Sequence, residues 1–159
     1  MEIKSRHHLR SDAVEKIRTR MAEDLGVDLP DSSFELVELE GSPFDIVLVD
    51  GDPNVLYVDG EPFLTVRGAN AYGPTEHVVT VDAGAVSFVS DGADVMRPGI
   101  VDADEDIGPG ELVVIVEETH GKALAIGRSR VAGDDLLGEE GKVIDSIHHV
   151  GDDLYGFTT

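Results

Sequence analysis

The sequence predicts an α+β protein, a small N-terminal α/β domain over residues 1–73 followed by a C-terminal β-barrel over residues 77–157. Three observations carry this. One amphipathic helix leads four short strand-like runs. A Gly-Pro break then interrupts the chain at Tyr72 to Thr75. Beyond it, one early helix and many short strands suggest a small barrel.

The first helix spans Asp12 to Leu25. Asp12 is placed to cap it, Glu15 follows at capping-box spacing, and Gly26 is placed to end it. Val14, Ile17, Met21 and Leu25 share one face, as a helix packed on a sheet requires. Strands follow at Phe34–Leu39, Ile46–Val49, Val55–Val58 and Phe63–Val66, and Asp59-Gly60 between the last two is a two-residue hairpin signal. After the break, His77–Val81 reads as a strand. Asp82 can cap a helix from Ala83 to Ser90, with Ala85, Phe88 and Val89 as its buried stripe. Strands are expected at Ala93–Met96, Leu112–Val116, Ala123–Val131 and Val143–Val150, with Leu154–Phe157 pairing back across Gly151.

Composition narrows the class. The chain has 159 residues, 41% of them hydrophobic, enough for a packed core, and it has no cysteine for disulfide or thiolate chemistry. No apolar run approaches a membrane span, and the first residues lack the apolar core of a secretory signal, so a cytoplasmic protein with no membrane partner is expected. Thirty-three acidic residues against 12 basic ones give a formal charge of -21. Such an acidic shell resembles the proteins of salt-loving archaea, and it should repel itself in dilute buffer. Charge is nevertheless segregated. The first twenty residues are net +3, leaving -24 on the rest. Lys4, Arg6, His7, His8 and Arg10 therefore form a candidate polyanion-facing leader. The plainer alternative for this leader is a solvated strand edge.

Catalysis has no recognisable address. There is no Gly-x-Ser-x-Gly, Gly-x-Gly-x-x-Gly or His-Glu-x-x-His pattern. Asp102, Asp104 and Asp106 imitate a calcium loop, but Ile107 and Val113 stand where its glycine and glutamate belong. Gly141-Lys142 fails as a phosphate loop, with Leu136 and Val143 at the first glycine and hydroxyl positions. The pairs His7-His8 and His148-His149 are poor chelates, because neighbours on a strand point to opposite faces. One buried and one exposed histidine per pair is expected, with no metal and no cofactor.

One segment is distinctive. Gly92-Ala93-Asp94-Val95-Met96-Arg97-Pro98-Gly99-Ile100 follows a short apolar helix and turns at Pro98-Gly99. It closely resembles the hallmark segment of the PUA domain, an RNA-binding module. The basic leader Lys4–Arg10 and the tail Ile144–Tyr155 widen the resemblance to nearly the whole chain. Together they resemble the two-domain PUA proteins of the translation machinery related to the malignant-T-cell-amplified-sequence protein, archaeal members included. That resemblance implies a pre-PUA domain and a PUA pseudobarrel. It also implies non-catalytic binding of structured RNA, tRNA or rRNA, beside the short helix. The small ribosomal subunit or an initiation-factor-like protein are the partners it suggests.

Gly92, Ala93, Met96, Arg97 and Gly99 are the expected contacts there. Glycines let a backbone approach, and Arg97 offers a planar cation. Arg128 and Arg130 join them as scarce cations of the acidic barrel, and the leader residues as a second patch. A helix stop and a turn explain Gly92 and Gly99 equally well. Two other functions fit the same residues: an accessory presenting tRNA or rRNA to a modification enzyme, or a protein adaptor that no longer binds RNA.

Overall fold

The computed structural model describes residues 1–158 and contains two sheets, each built from strands of one half of the chain. The first is an antiparallel meander of β1 (Ile3–His8), β2 (Phe34–Leu39), β3 (Asp45–Val49), β4 (Asp52–Val58) and β5 (Glu61–Leu64) in that order. Asp59 and Gly60 both adopt positive φ, 49° and 80°, and join β4 to β5 as the hairpin signal required. Helix α1 (Ser11–Leu25) buries Ile17, Met21 and Leu25 in full, and Gly26 closes it at φ 66° with its N–H donating to the Ala22 carbonyl.

The second sheet has the order β7-β11-β10-β9-β6-β8, from β6 (Val78–Val81), β7 (Val95–Met96), β8 (Ile100–Ala103), β9 (Leu112–Glu117), β10 (Ala123–Ser129) and β11 (Lys142–His149). Its two edge strands, β7 and β8, are consecutive in the chain and joined by a single 3-10 turn at Arg97–Gly99. The sheet thus curls into a nearly closed barrel with its seam at that turn. Only β6 and β9 run parallel, and α3 (Val86–Ser90) lies on the crossover that leads to the seam.

One hydrophobic core serves both sheets. Leu112, Val114, Ala123 and Ile126 of the barrel pack in the same cluster as Ile17, Val37 and Leu56 of the meander. A second cluster, with Val81, Val89, Ile115 and Ile144, fills the barrel interior. Helix α2 (Val66–Tyr72) sits between the sheets. A Cβ on Gly68 would collide with the Asn54 carbonyl oxygen of β4, so only glycine allows that approach. From the same helix Asn70 pairs with the backbone of Ala123, accepting its N–H at 2.8 Å.

Several sequence expectations are corrected. Helix α1 starts one residue early, so Arg10 is its N-cap without a side-chain bond. Asp12 lies in the first turn, where its charge still favours the helix end. Phe63–Val66 does not continue as a strand: Thr65 accepts the Gly68 N–H and starts α2. Helix α3 is shorter than expected, Asp82 accepting the Ala85 N–H in a turn ahead of it. Leu154 and Phe157 are buried from a turn rather than a strand, because the Asp152 carboxylate gathers the N–H groups of His149 and Tyr155. The expected break at Tyr72–Thr75 is tied down, the Thr75 N–H donating to the Leu25 carbonyl.

Candidate nucleic-acid interface

A groove with a volume of about 780 Å³ lies beside the seam turn, between α3 and the Val95–Gly99 stretch. Its walls carry Ala85, Phe88, Val89, Gly92, Ala93, Met96, Pro98 and Gly99, and its polar side chains are Asp82, Asp94 and Lys142. Gly92 ends α3 at φ 93°: its N–H donates to the Val89 carbonyl and that of Ala93 to Phe88, the double bond of a Schellman stop. A Cβ there would stand 2.7 Å from His149 Nε2, so the position is closed to any other residue without local movement. At Gly99 a Cβ would stand 3.0 Å from that of Ala85, so the turn packs directly on the helix lead-in. The glycines therefore serve the backbone and, in doing so, bring it to the groove surface.

Phe88 corrects the sequence reading. It was expected in the buried stripe of its helix, yet it is 66% exposed, and Met96 across the groove is 47% exposed. Val89 of the expected stripe is buried, and Ala85 packs against the same cluster together with Val86. A helix of five residues is too short for its apolar spacing to fix which side meets the core.

Residues 77–151 match the PUA domain family model, so the groove is formed by the segment that carries the family's signature. The chain is also 34% identical over 161 residues to an uncharacterized protein of Methanocaldococcus jannaschii, covering 99% of both. It is 31% identical over 134 residues to translation machinery-associated protein 20 of Saccharomyces cerevisiae, covering 80% of this chain and 74% of that one. The crystal structure of a hypothetical protein from Pyrococcus horikoshii superposes with a TM-score of 0.88 at 29% identity, over 98% of this chain and 100% of that one. The chain belongs to the PUA-protein family of translation machinery-associated protein 20 and malignant T-cell-amplified sequence 1.

In this PUA protein the arginines expected at the interface have partners of their own. Arg97 lies outside the groove lining, with 23% of its side chain exposed. Nε donates to the Asp135 carbonyl at 3.0 Å, Nη1 to the Glu140 carbonyl at 3.1 Å, and Nη2 to the Asp135 carboxylate at 3.1 Å. It thereby holds the 133–141 loop against the seam turn. Arg128 Nη1 donates to the Gly110 carbonyl at 2.7 Å while Nη2 pairs with Asp59 at 3.2 Å, bridging the barrel to the β4–β5 hairpin. Arg130 pairs with Asp145 at 2.5 Å, an exchange that raises the arginine's pKa and lowers the carboxylate's. In the groove, Lys142 Nζ stands 3.3 Å from Asp94.

The leader forms the edge strand β1, so Lys4, Arg6 and His8 alternate with Ser5 and His7. Arg6 donates to Glu35 at 2.9 Å, His8 stands 3.8 Å from the same carboxylate, and Arg10 is 3.4 Å from Asp12. Lys4 and His7 are exposed and enter no ion pair among the described residues. Both His7 and His8 are exposed, correcting the expected split, whereas His148 is 1% exposed and His149 half-buried.

His148 is the residue the sequence reading underused. Its Nε2 accepts the Val66 N–H at 3.2 Å, so its proton must sit on Nδ1, which donates to Asp152 at 2.8 Å. That places a neutral imidazole as a clasp between the barrel and the first turn of α2. No spacing rule would have found this pairing across 82 positions. Among the described residues no group of three metal-ligating side chains converges, and no helix is long and apolar enough to cross a membrane.

Proposed function

We propose that this protein binds structured RNA of the translation machinery, tRNA or rRNA, without catalysing a reaction on it. The observation that carries the reading is the open groove beside α3, built from the PUA signature with backbone, glycine and an exposed aromatic at its surface. RNA readers work by shape, stacking and sugar contacts more than by the helix grooves used on DNA. Similarity to translation machinery-associated protein 20 of yeast supports a link to translation. The edge strand β1, with Lys4, Arg6, His7, His8 and Arg10, supplies a second contact surface, oriented toward ribosomal RNA of the small subunit or an initiation-factor-like partner. Arg97, Arg128 and Arg130 act chiefly by shaping the barrel, so they support RNA binding through structure.

Ultraviolet cross-linking in molar KCl, followed by sequencing of the recovered RNA and sedimentation with ribosomal subunits, tests this reading. Recovery of tRNA or small-subunit rRNA is expected, reduced several-fold in an Arg6→Ala/Arg10→Ala variant. No RNA recovered with the wild-type protein would overturn it in favour of a protein adaptor. Exclusive recovery in complex with a modification enzyme would move the role from translation to RNA presentation.

A further inference from the structure

A cleft of about 410 Å³ opens on the meander, between the end of β1, the β2–β3 loop and the β4–β5 hairpin. Leu9, Leu36 and Pro43 give it apolar walls, Tyr57 an aromatic one, and Asp45 and Asp59 its charge. Asp45 and Tyr57 are direct cross-strand partners on β3 and β4, so their side chains stand on one face of the sheet. Asp59 follows in the hairpin turn, at most roughly 7 Å further along the chain. Asp45 differs from the carboxylates around it. Glu35, Asp94, Asp135 and Asp145 each meet an arginine or lysine within 3.3 Å. Among the described residues no hydrogen bond or ion pair offsets the partial burial of Asp45. That burial raises its pKa, Glu38 adds to the rise, and Lys4 is the one cation that opposes it. Burial and the facing Asp45 likewise hold the Tyr57 phenol above its ordinary value, so its hydroxyl stays neutral. A carboxylate lacking its cation, beside an aromatic face and an aliphatic wall, matches a primary ammonium on a short alkyl chain.

We propose that this cleft binds a free aliphatic diamine. One ammonium is held by Asp45 against the ring of Tyr57, the alkyl chain lies on Leu9, Leu36 and Pro43, and the second ammonium meets Asp59. Asp59 already accepts from Arg128 at 3.2 Å, but its side chain is 86% exposed and its carboxylate has further lone pairs to offer. Potassium drawn to the acidic shell has no alkyl chain to bury, so it competes poorly for the apolar walls. The cleft shares no lining residue with the groove beside α3, so its ligand does not depend on RNA binding.

The experiment is isothermal titration calorimetry of the full chain with putrescine in molar KCl, where screening suppresses diffuse attraction to the acidic surface. One saturable site per chain is expected. Asp45→Asn should weaken binding at least about 10-fold, the loss that goes with a charge-assisted hydrogen bond. Tyr57→Leu should weaken it about 5- to 30-fold, whereas Tyr57→Phe, which keeps the ring, should bind nearly as the wild type does. Asp102→Asn removes the same charge from an exposed position outside the cleft and should leave binding unchanged. Bound putrescine should also lower the pKa of Asp45, followed by carboxyl NMR. Circular dichroism checks that the variants fold, and the isosteric Asp45→Asn carries the test if Tyr57→Leu does not. No saturable binding by the wild type, or an equal loss in Asp45→Asn and Asp102→Asn, would overturn the site in favour of diffuse attraction. Equal affinity for acetyl-lysine methylamide would also overturn it, passing the cleft to a lysine side chain of a protein partner.

Discussion

Asp152 shows how one carboxylate holds two halves of a chain. Burial would raise its pKa, but the hydrogen bonds from His148 and from the N–H groups of His149 and Tyr155 outweigh that and lower it to about 2. A carboxylate depressed in the folded state stabilises it fully above the unfolded pKa near 3.8, and loses that contribution as pH falls through about 2. Asp152→Ala should thus cost on the order of 2 kcal/mol at neutral pH and flatten the acid limb of a pH–stability curve measured by denaturant unfolding. Unchanged stability at neutral pH would mean the clasp contributes nothing. Arg97 is the contrasting case. Its sequence context singled it out for RNA, while its geometry gives it two carbonyls and a carboxylate of the neighbouring loop. Arg97→Ala should lower stability by about 1–2 kcal/mol. It should also speed hydrogen exchange across residues 133–141 and leave RNA recovery by cross-linking within about twofold. An arginine's type and neighbours are legible in a sequence, but its partners 38 and 43 positions away are not.

At the level of elements, legibility followed the strength of the periodic signal. Helix α1 and strand β2 lie where long, regular apolar patterns put them, and the Asp59-Gly60 hairpin follows from turn chemistry alone. The reading failed where short elements abut. Phe63 to Val66 is one apolar run in sequence, but a single hydroxyl divides it. Thr65 Oγ1 accepts the Gly68 N–H at 3.0 Å and donates to the Pro53 carbonyl at 2.8 Å. Thr65→Ala should therefore cost about 1–2 kcal/mol by thermal or chemical unfolding, as loss of a buried cap does, and Thr65→Ser should recover most of it. Ser no better than Ala would show that the methyl group, not the hydroxyl, matters there. Phe88 belongs to the same class of error. Its helix is too short to assign a buried side by spacing, and that misassignment hid the most exposed aromatic wall of the groove. The glycine turn was legible in the sequence, whereas its apolar rim was not.

The molecule as a whole is one packed body carrying a strongly negative charge. Its core joins meander and barrel. Arg128 to Asp59 links the barrel to the β4–β5 hairpin, and Asn70 to Ala123 and His148 to Val66 link it to α2. With 33 acidic side chains against 12 basic ones, self-repulsion should dominate in dilute buffer, and screening at about 3 Å in molar salt should relieve it. The melting temperature should accordingly rise steeply with KCl, and both sheets should melt in one transition. A flat salt response would contradict the halophilic reading of the composition. The central claim, that RNA lies in the groove between α3 and the seam turn, is met most directly by locating cross-linked peptides. RNA cross-linked to the wild-type protein in molar KCl and digested for mass spectrometry should label the peptide spanning residues 82–99, at Phe88 or Met96. Labels confined to other surfaces, with residues 82–99 clean, would contradict the account.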